Sequence, residues 1–498
     1  MLIHTNRIQV LVAGLFLTVT LSSQTPPSAL NPAVQRVVAE VSEQRIAGIM
    51  QKLESFGTRY VMSAQDDPSA GIGAARRWIH DQFQGFSPRL TVEDQPFTVK
   101  KGASRGQVLY DVELANVVAV LPGTTERDQY VLVTAHYDSV DLVRKPKMNE
   151  EQRLADLVKR GMEESEAKHY MQLFPTSEAI PEVDPEPTAR AAAPGVTDDG
   201  SGVAAVLELA RVMSQYEFDK TVIFIAFAGE EIGLEGSKAY AAQAKQQGMQ
   251  IEAVLNDDII GSEIAGNGRS ANGTVRVFAD GPEDSSGRAL LRYTKLIAER
   301  YVPSMNVEMV FRRDRFLRGG DHTAFTTQGF GAVRFTSASE NYSHQHSATD
   351  NFANASVAYA TRVARMNASV LASLAWAPPT PVVNWTFASG ERKGERLPLL
   401  SRGASGYEAV LRWERSKAPD LAGYAVVLRS TTAPDWEREI WVGDVATYTL
   451  TDFSIDDVVI GVKAVDRDGN QSLVSAYLEP VSARLTGVPV NPAPAGDR

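Results

Sequence analysis

Runs of apolar residues with strand character alternate with amphipathic helical stretches along most of the chain. Residues 130–135 and 221–227 are almost continuously apolar and rich in β-branched and aromatic side chains, which is typical of strands buried on both faces. Residues 35–56 and 355–374 instead place apolar side chains at helical spacing. This alternation predicts an α/β fold over residues 33–376, with three layers built around a mostly parallel sheet.

The alternation stops between residues 141 and 193. Residues 150–173 are highly charged but keep helical spacing, and residues 181–187 are acidic and rich in proline. We interpret residues 141–193 as an inserted segment of helix and loop on the surface, placed where it can cap a cleft and restrict substrates.

The pattern changes again after a proline-rich linker at residues 377–381. Residues 382–486 contain short strands separated by turns and need no helix, which predicts a C-terminal all-β sandwich. Around Trp413 and Tyr424 this part resembles a fibronectin type III module, which we expect to bind a surface or another protein. Residues 487–498 are expected to form a flexible tail.

The first residues have the pattern of a targeting segment. In residues 1–23, Arg7 precedes an apolar run at 8–21, and the small residues Ser22 and Ser23 follow it. We interpret the segment as a cleaved signal peptide and the protein as secreted or periplasmic. An uncleaved membrane anchor is the alternative, although the run is short for a span; after cleavage we expect no membrane span.

Composition narrows the classes of partner. The chain has 498 residues, a formal net charge of −11 and no cysteine. An acidic protein without a run of Lys and Arg is not expected to bind nucleic acid or an anionic membrane surface. Because no disulfide can form, the stability of an exported protein of this sequence must come from its core and from bound metal.

Carboxylates and imidazoles follow several of the predicted strands. Ligands gather at the carboxyl ends of strands in open α/β sheets. Two adjacent carboxylates such as Glu230 and Glu231 repel each other when they are desolvated, so they favour a bound cation. Carboxylates combined with imidazoles suit zinc. The candidate residues are His136, Asp138, Asp198, Asp199, Glu230, Glu231, Asp257, Asp258, His344, His346 and Asp350.

Five motifs in this order resemble the dizinc aminopeptidase family, which also includes glutamate carboxypeptidases and glutaminyl cyclases. The resemblance covers about residues 35–374 and implies a zinc exopeptidase fold, two zinc ions and peptide substrates. The motifs are HYDS (136–139), DDGSG (198–202), GEEIGLEGS (229–237), NDDIIG (256–261) and HSATD (346–350).

The resemblance also implies a role for each matching metal ligand. His136 and Asp258 would bind the first zinc ion, and Glu231 and His346 the second. Asp198 would bridge the two ions. The residue types leave three alternatives open: Asp199 for Asp198, Asp257 for Asp258, and His344 for His346.

Further residues would take part without binding metal. The resemblance implies that Glu230 is the general base and that Asp138 orients the imidazole of His136. Asp350 is expected to orient His346 in the same way, and Asp321 to belong to a proton network. The family often has a tyrosine directly before the last histidine; here Gln345 stands at that position.

Three other functions remain open from the sequence. A glutaminyl cyclase shares the same motifs, and a noncatalytic protein can keep the fold and use the C-terminal module for binding. A carboxypeptidase would need basic side chains for the terminal carboxylate of its substrate. The candidates for that role are Arg312, Arg313, Arg315 and Arg318.

Overall fold

The computed structural model describes residues 27, 30–173, 182–283, 285–312, 319–387, 389–390, 393, 396–403, 405–451 and 454–478. The signal peptide and the tail predicted from the sequence lie outside these residues, as do Arg313, Arg315 and Arg318. Among the helices that the structure describes, none combines the length and the apolar composition needed to cross a bilayer.

An eight-stranded mixed sheet forms the centre of the larger domain, in the order β1-β2-β4-β3-β5-β8-β6-β7. The central strands β4, β3, β5 and β8 run parallel to one another, whereas β1, β2 and β6 join by antiparallel pairing. The predicted α/β fold class is therefore confirmed. The strands are β1 (Thr91–Val99), β2 (Val112–Leu121), β3 (Glu126–His136), β4 (Lys220–Phe227), β5 (Gln250–Asp257), β6 (Thr274–Phe278), β7 (Asn306–Val310) and β8 (Ala332–Ser337).

Helices cover both faces of the sheet. In the first part of the chain and the insertion they are α1 (Pro32–Ala39), α2 (Glu43–Glu54), α3 (Gly71–Phe86), α4 (Ala103–Gly106), α5 (Glu150–Lys159), α6 (Glu164–Leu173) and α7 (Pro185–Thr188). The others are α8 (Ser201–Met213), α9 (Glu235–Gln246), α10 (Ser286–Tyr301), α11 (His322–Thr327) and α12 (Val357–Trp376). Helices α1, α2, α3, α8, α10 and α12 share one core with the sheet, and α9 and α11 share the core on the opposite face.

Strand β4 shows why the sequence specifies a sheet buried on both sides. Its residues are buried throughout. Val222 and Phe224 belong to the larger core, while Ile223 and Ile225 belong to the core under α9 and α11. Successive side chains of a strand point to opposite faces, so a continuous apolar run fills both cores.

The helical pattern at residues 35–56 belongs to two helices, α1 and α2, instead of one. Ser42 caps α2, because its hydroxyl accepts a hydrogen bond from the amide of Arg45 (3.4 Å). The amide of Ser42 in turn donates to the buried carboxylate of Glu208 (2.8 Å). The periodicity continues across the break because both helices bury apolar side chains in the same core.

The insertion begins beside the loop that carries His346. The amide of Leu142 donates a hydrogen bond to the carbonyl of His346 (3.1 Å). Beyond this attachment α5 and α6 pack against each other, with the guanidinium of Arg153 5.9 Å from the ring centre of Tyr170. In these two helices only Ala167 is buried. Helices α5 and α6 thus form an exposed hairpin, and the insertion begins beside the loop after β8.

Two antiparallel sheets with a shared apolar core form the C-terminal unit, as the sequence predicts. One sheet has the order β11-β12-β15 and the other β14-β13-β16-β17; β9 and β10 form a separate pair. Arg429 of this unit forms an ion pair with Glu283 of the larger domain. The strands are β9 (Trp385–Phe387), β10 (Arg396–Pro398), β11 (Ser401–Arg402), β12 (Ala409–Arg412), β13 (Leu421–Ser430), β14 (Arg438–Gly443), β15 (Thr447–Leu450), β16 (Val458–Asp466) and β17 (Ser475–Ala476).

Candidate metal centre and active site

The candidate ligands meet at the carboxyl edge of the parallel strands. His136 is the last residue of β3, and Asp258 directly follows β5. Glu231 lies in the turn after β4, and Asp198 lies in a short kinked segment at Val196–Gly200 that leads into α8. His346 comes from the loop after β8. Five separate segments of the chain therefore supply one small cluster.

Within the cluster Asp198 lies between two groups of side chains. Its Oδ1 is 3.3 Å from Nε2 of His136, and that nitrogen is 3.9 Å from Oδ1 of Asp258. Its Oδ2 is 3.1 Å from Nε2 of His346, and that nitrogen is 3.2 Å from Oε2 of Glu231. Asp198 thus presents one carboxylate oxygen to each group, which is the arrangement that the resemblance implies.

The donor atoms of the cluster fit a divalent metal ion. Nε2 of His136 and Oε1 of Glu231 are buried and have no hydrogen-bond partner among the described residues. Leaving such atoms unpaired is costly unless another group binds them. Donor atoms of His136, Asp198 and Glu231 lie within 4.8 Å of one another. Imidazole nitrogen and carboxylate oxygen are common zinc ligands, so this set suits zinc.

The charges of the cluster also favour a cation. Burial raises the pKa of Glu230 well above its usual range, and the carboxylates of Asp258 and Glu231 raise it further against the opposing effect of His136. Burial likewise raises the pKa of Glu231, which His346 partly offsets. Mutual repulsion of this kind disappears when a positive ion binds between the carboxylates.

The pKa of Asp198 is shifted in the opposite direction from the pKa values of Glu230 and Glu231. Burial disfavours its ionised form, but the imidazoles of His136 and His346, 3.3 Å and 3.1 Å from its oxygens, outweigh burial and hold the pKa of Asp198 well below its usual range. Asp198 is therefore ionised at neutral pH, as a bridging ligand must be.

Asp138 positions two parts of the site. One is the turn that carries Glu230 and Glu231, and the other is the imidazole of His136. Its Oδ1 and Oδ2 accept hydrogen bonds from the amides of Glu230 and Glu231, each at 3.2 Å. Nδ1 of His136 lies 3.1 Å from the backbone carbonyl of Asp138 and 3.7 Å from its carboxylate. A proton on Nδ1 donates to that carbonyl, which leaves Nε2 free to bind a metal.

Asp350 supports Asp198 rather than His346. Its carboxylate accepts hydrogen bonds from the amides of Thr197 and Asp198, both at 2.9 Å, and from the hydroxyl of Thr197 at 2.5 Å. Burial raises the pKa of Asp350 to about 6, although the bonds from Thr197 oppose the shift. The sequence correctly associated Asp350 with the site but assigned it to a different ligand.

The carboxylate of Asp199 is occupied by backbone amides. Its Oδ2 accepts from the amide of His136 (3.3 Å), and its Oδ1 accepts from the amides of Gly202 (3.0 Å) and Ile259 (3.1 Å). Asp199 therefore joins three ligand-bearing segments through their backbones, while Asp198 faces the two histidines.

The side chains of the other two alternatives bond residues that are not candidate ligands. Asp257 accepts a hydrogen bond from the side-chain amide of Asn367 (2.6 Å), and burial raises its pKa to about 8. Nδ1 of His344 lies 2.8 Å from the hydroxyl of Thr349. The geometry thus favours Asp258 and His346 as ligands.

Asp321 lies beside the cluster, immediately before α11, and is fully buried. Burial raises its pKa to about 7, against the opposing effects of His136 and the hydroxyl of Ser237. Asp258 and Asp138 raise the pKa further. A carboxyl group with this pKa can hold or release a proton near neutral pH, which is compatible with the predicted proton network.

The side chains around Gln345 are engaged by one carboxylate. The amide of Gln345 donates to Oε2 of Glu340 (2.9 Å), and the hydroxyl of Tyr342 donates to Oε1 of the same residue (3.3 Å). Tyr342 therefore does not substitute for the tyrosine that the family often has before the last histidine.

Sequence reasoning missed two buried arginines. Arg59 lies behind the cluster and Arg334 lies on β8 beside Asp258. A charged residue within the strand-like run at residues 332–337 is a signal that could have found Arg334, because a buried arginine needs acceptors. The segment around Arg59 carries no comparable signal.

Arg59 connects the two segments that present His136 and Asp198. Its guanidinium donates hydrogen bonds to the carbonyls of Tyr137 (2.7 Å), Pro194 (2.5 Å) and Gly195 (2.8 Å). Burial lowers the pKa of Arg59 to about 10, which the nearby carboxylates oppose, so the group stays charged at neutral pH. Arg59 thus fixes both segments and adds positive charge behind the carboxylates.

We expect an Arg59→Met substitution to lower the free energy of unfolding by about 3 kcal/mol or more, because it leaves several buried carbonyls without a donor. It should also weaken zinc binding, since His136 and Asp198 lose their support. Denaturant unfolding and zinc titration measure the two effects. Arg429→Met removes a buried arginine of the C-terminal unit and is the matched control, for which we expect lower stability with unchanged zinc binding. Equal zinc affinity in both variants would contradict the role given to Arg59.

Comparison with known proteins places the chain in a family. The model of peptidase family M28 matches residues 116–371. A probable zinc metalloprotease of Pyricularia oryzae is 34% identical over 486 residues, covering 91% of this chain and 85% of that protein. One of Leptosphaeria maculans is 33% identical over 470 residues, covering 88% and 95%. The crystal structure of LapB from Legionella pneumophila aligns with a TM-score of 0.48 at 17% identity, over 69% of this chain and 77% of that one.

The fold and the cluster together define the class of α/β metallohydrolases with a metal site at the carboxyl edge of the sheet. On the sequence matches, the chain belongs to peptidase family M28.

Proposed function

We propose that this zinc metallopeptidase of family M28 is an aminopeptidase that binds two zinc ions and hydrolyses the N-terminal peptide bond of peptides. The observation that carries the proposal is the position of Asp198, which presents Oδ1 to His136 and Oδ2 to His346. One bridging carboxylate with an imidazole on each side fits two ions better than one.

Each ion would have three protein ligands. His136, Asp198 and Asp258 would hold the first, and His346, Asp198 and Glu231 the second. Bound zinc supplies Lewis-acid chemistry, which polarises a carbonyl and makes a water molecule more acidic.

Glu230 is the residue that we propose to move the proton. Its backbone is fixed by Asp138, while its carboxyl group receives no hydrogen bond from the residues that the structure describes. A carboxylate in this position beside the proposed ligands can take a proton from the attacking water and give it to the leaving amine. Glu231, one residue later, faces His346 instead.

The arginines nearest the cluster bear on which end of the peptide binds. A carboxypeptidase needs basic side chains to hold the terminal carboxylate of its substrate. The two arginines nearest the cluster cannot bind a substrate carboxylate, because Arg59 and Arg334 are 0% and 1% exposed and donate to backbone carbonyls. Among the arginines considered from the sequence for that role, Arg312 alone lies within the described residues.

Substrate blocking tests the specificity. We expect cleavage of peptides with a free amino terminus, equal rates when the carboxyl terminus is amidated, and no cleavage when the amino terminus is acetylated. Mass spectrometry of the products distinguishes the alternatives. Cleavage that requires a free carboxyl terminus would indicate a carboxypeptidase, and pyroglutamate formed from an N-terminal glutamine would indicate a glutaminyl cyclase. Zinc binding without any turnover would favour a noncatalytic binding protein.

We also propose that the protein is exported and that its C-terminal unit is a fibronectin type III-like module that binds a surface or another protein. One sheet of three strands packed on one of four supports the likeness, because seven-stranded sandwiches of this kind are common in extracellular modules. N-terminal sequencing of protein recovered outside the cytoplasm tests the export. An intact residue 1 in that material would contradict signal cleavage.

A further inference from the structure

Arg334 forms a buried ion pair with one of the proposed metal ligands. Its side chain is 1% exposed, and its Nε lies 3.1 Å from Oδ2 of Asp258. Its Nη1 donates a hydrogen bond to the carbonyl of Gly319 (2.8 Å). The guanidinium is therefore held between the carboxylate and the loop that leads to Asp321.

The two oxygens of Asp258 have different surroundings. Oδ1 faces the cluster and lies 3.9 Å from Nε2 of His136. Oδ2 faces Arg334. A guanidinium cation stabilises the ionised form of a carboxylate beside it, so one oxygen of Asp258 lies toward the cluster and the other lies toward the positive charge of Arg334.

Gly320 closes over this ion pair. A Cβ atom at Gly320 would lie 2.7 Å from Oδ2 of Asp258 and 3.0 Å from Cδ of Arg334. A side chain at residue 320 would therefore displace the ion pair. Glycine at this position lets the backbone pack directly against Asp258 and Arg334.

We propose that Arg334 is a positioning residue that commits Asp258 to bind the first metal ion through Oδ1 alone. The inference rests on the proposed function in one respect, the assignment of Asp258 as a ligand. Without Arg334, Oδ2 loses the positive charge that lies 3.1 Å from it, and binding the metal through both oxygens would offset that loss. A second oxygen raises the coordination number of the metal and takes up a position that substrate and water need.

The test uses the full chain loaded with Co²⁺ in place of zinc. Visible absorption of Co²⁺ depends on its coordination number and is weaker for six ligands than for four or five. We expect Arg334→Met to keep two Co²⁺ ions per chain, to absorb more weakly than the unsubstituted protein, and to have kcat lowered roughly 10- to 100-fold in its zinc form. Arg334→Lys keeps a positive charge and should restore part of the spectrum.

A second substitution covers the case in which Arg334→Met does not fold. Gly320→Ala should displace the same ion pair and change the spectrum in the same direction. Gly319→Ala is the matched control, because among the described residues its added methyl would meet the hydroxyl of Thr323, at 3.2 Å, and neither member of the ion pair; we expect the unsubstituted spectrum for it.

The outcomes separate this inference from the proposed function. An unsubstituted protein that binds no Co²⁺ or zinc would overturn the proposed function. Normal binding of two ions, with the same spectrum in the unsubstituted protein, Arg334→Met and Gly320→Ala, would overturn the role of Arg334 alone. A weaker spectrum in Arg334→Met or Gly320→Ala, with Gly319→Ala unchanged, supports it.

Discussion

Replacing Glu230 by glutamine lowers kcat roughly 10²- to 10⁴-fold, the range expected for loss of a general base, while zinc binding stays intact. Glutamine has nearly the same shape but cannot accept the proton of the attacking water. The neighbouring ligand Glu231 keeps its contact with His346, so the metal site should survive the change. Steady-state kinetics and metal analysis of the same preparation measure both quantities.

Glu235→Gln is the matched control for this substitution. Glu235 is a nearby glutamate at the start of α9, and its partly exposed side chain lies 3.9 Å from Lys238. We expect its kcat to equal that of the unsubstituted protein. A Glu230→Gln variant with full activity would remove Glu230 from the mechanism, and one that loses its zinc would make Glu230 a metal ligand.

Replacing Asp198 by alanine has the largest expected effect on metal binding. Asp198 faces both histidines through its two oxygens, so its loss weakens both proposed sites at once. We expect zinc content to fall from two ions per chain to one or none, and activity to fall below detection. Titration calorimetry with zinc measures the stoichiometry.

Asp199→Asn separates the bridging acid from its neighbour. Because the carboxylate of Asp199 accepts from three backbone amides, this substitution should lower stability and leave two zinc ions bound. If Asp199→Asn loses zinc while Asp198→Ala keeps it, the assignment of the bridging ligand is reversed.

The strands, and the edge of the sheet at which the candidate ligands cluster, could be predicted from the sequence. Buried parallel strands are continuously apolar, so the polar residues His136 and Asp258 at or just after their ends are easily recognised. The motif around Glu230 and Glu231 then predicts different roles for them, a general base and a metal ligand, although the two side chains are chemically identical. In the structure Asp138 holds the amides of both, and Glu231 turns its carboxylate to His346.

Contacts between distant segments of the chain could not be predicted from the sequence. Asp350 was expected to orient His346, but it accepts from the backbone at Asp198, 152 residues away in the chain. Arg334 contacts a carboxylate that directly follows another strand, β5, and the order of strands in the sheet brings the two together. Periodicity reports which face of an element is buried and contains no information on such pairs.

The account depends most on the presence of two metal ions that share Asp198. Anomalous diffraction at the zinc edge, from crystals of the purified protein grown with zinc, measures their positions directly. We expect two peaks that mark two zinc ions, one bound by His136 and Asp258 and the other by Glu231 and His346, with Asp198 bound to both. A single peak, or a second ion bound by Asp199, Asp257 or His344, would contradict the proposed site.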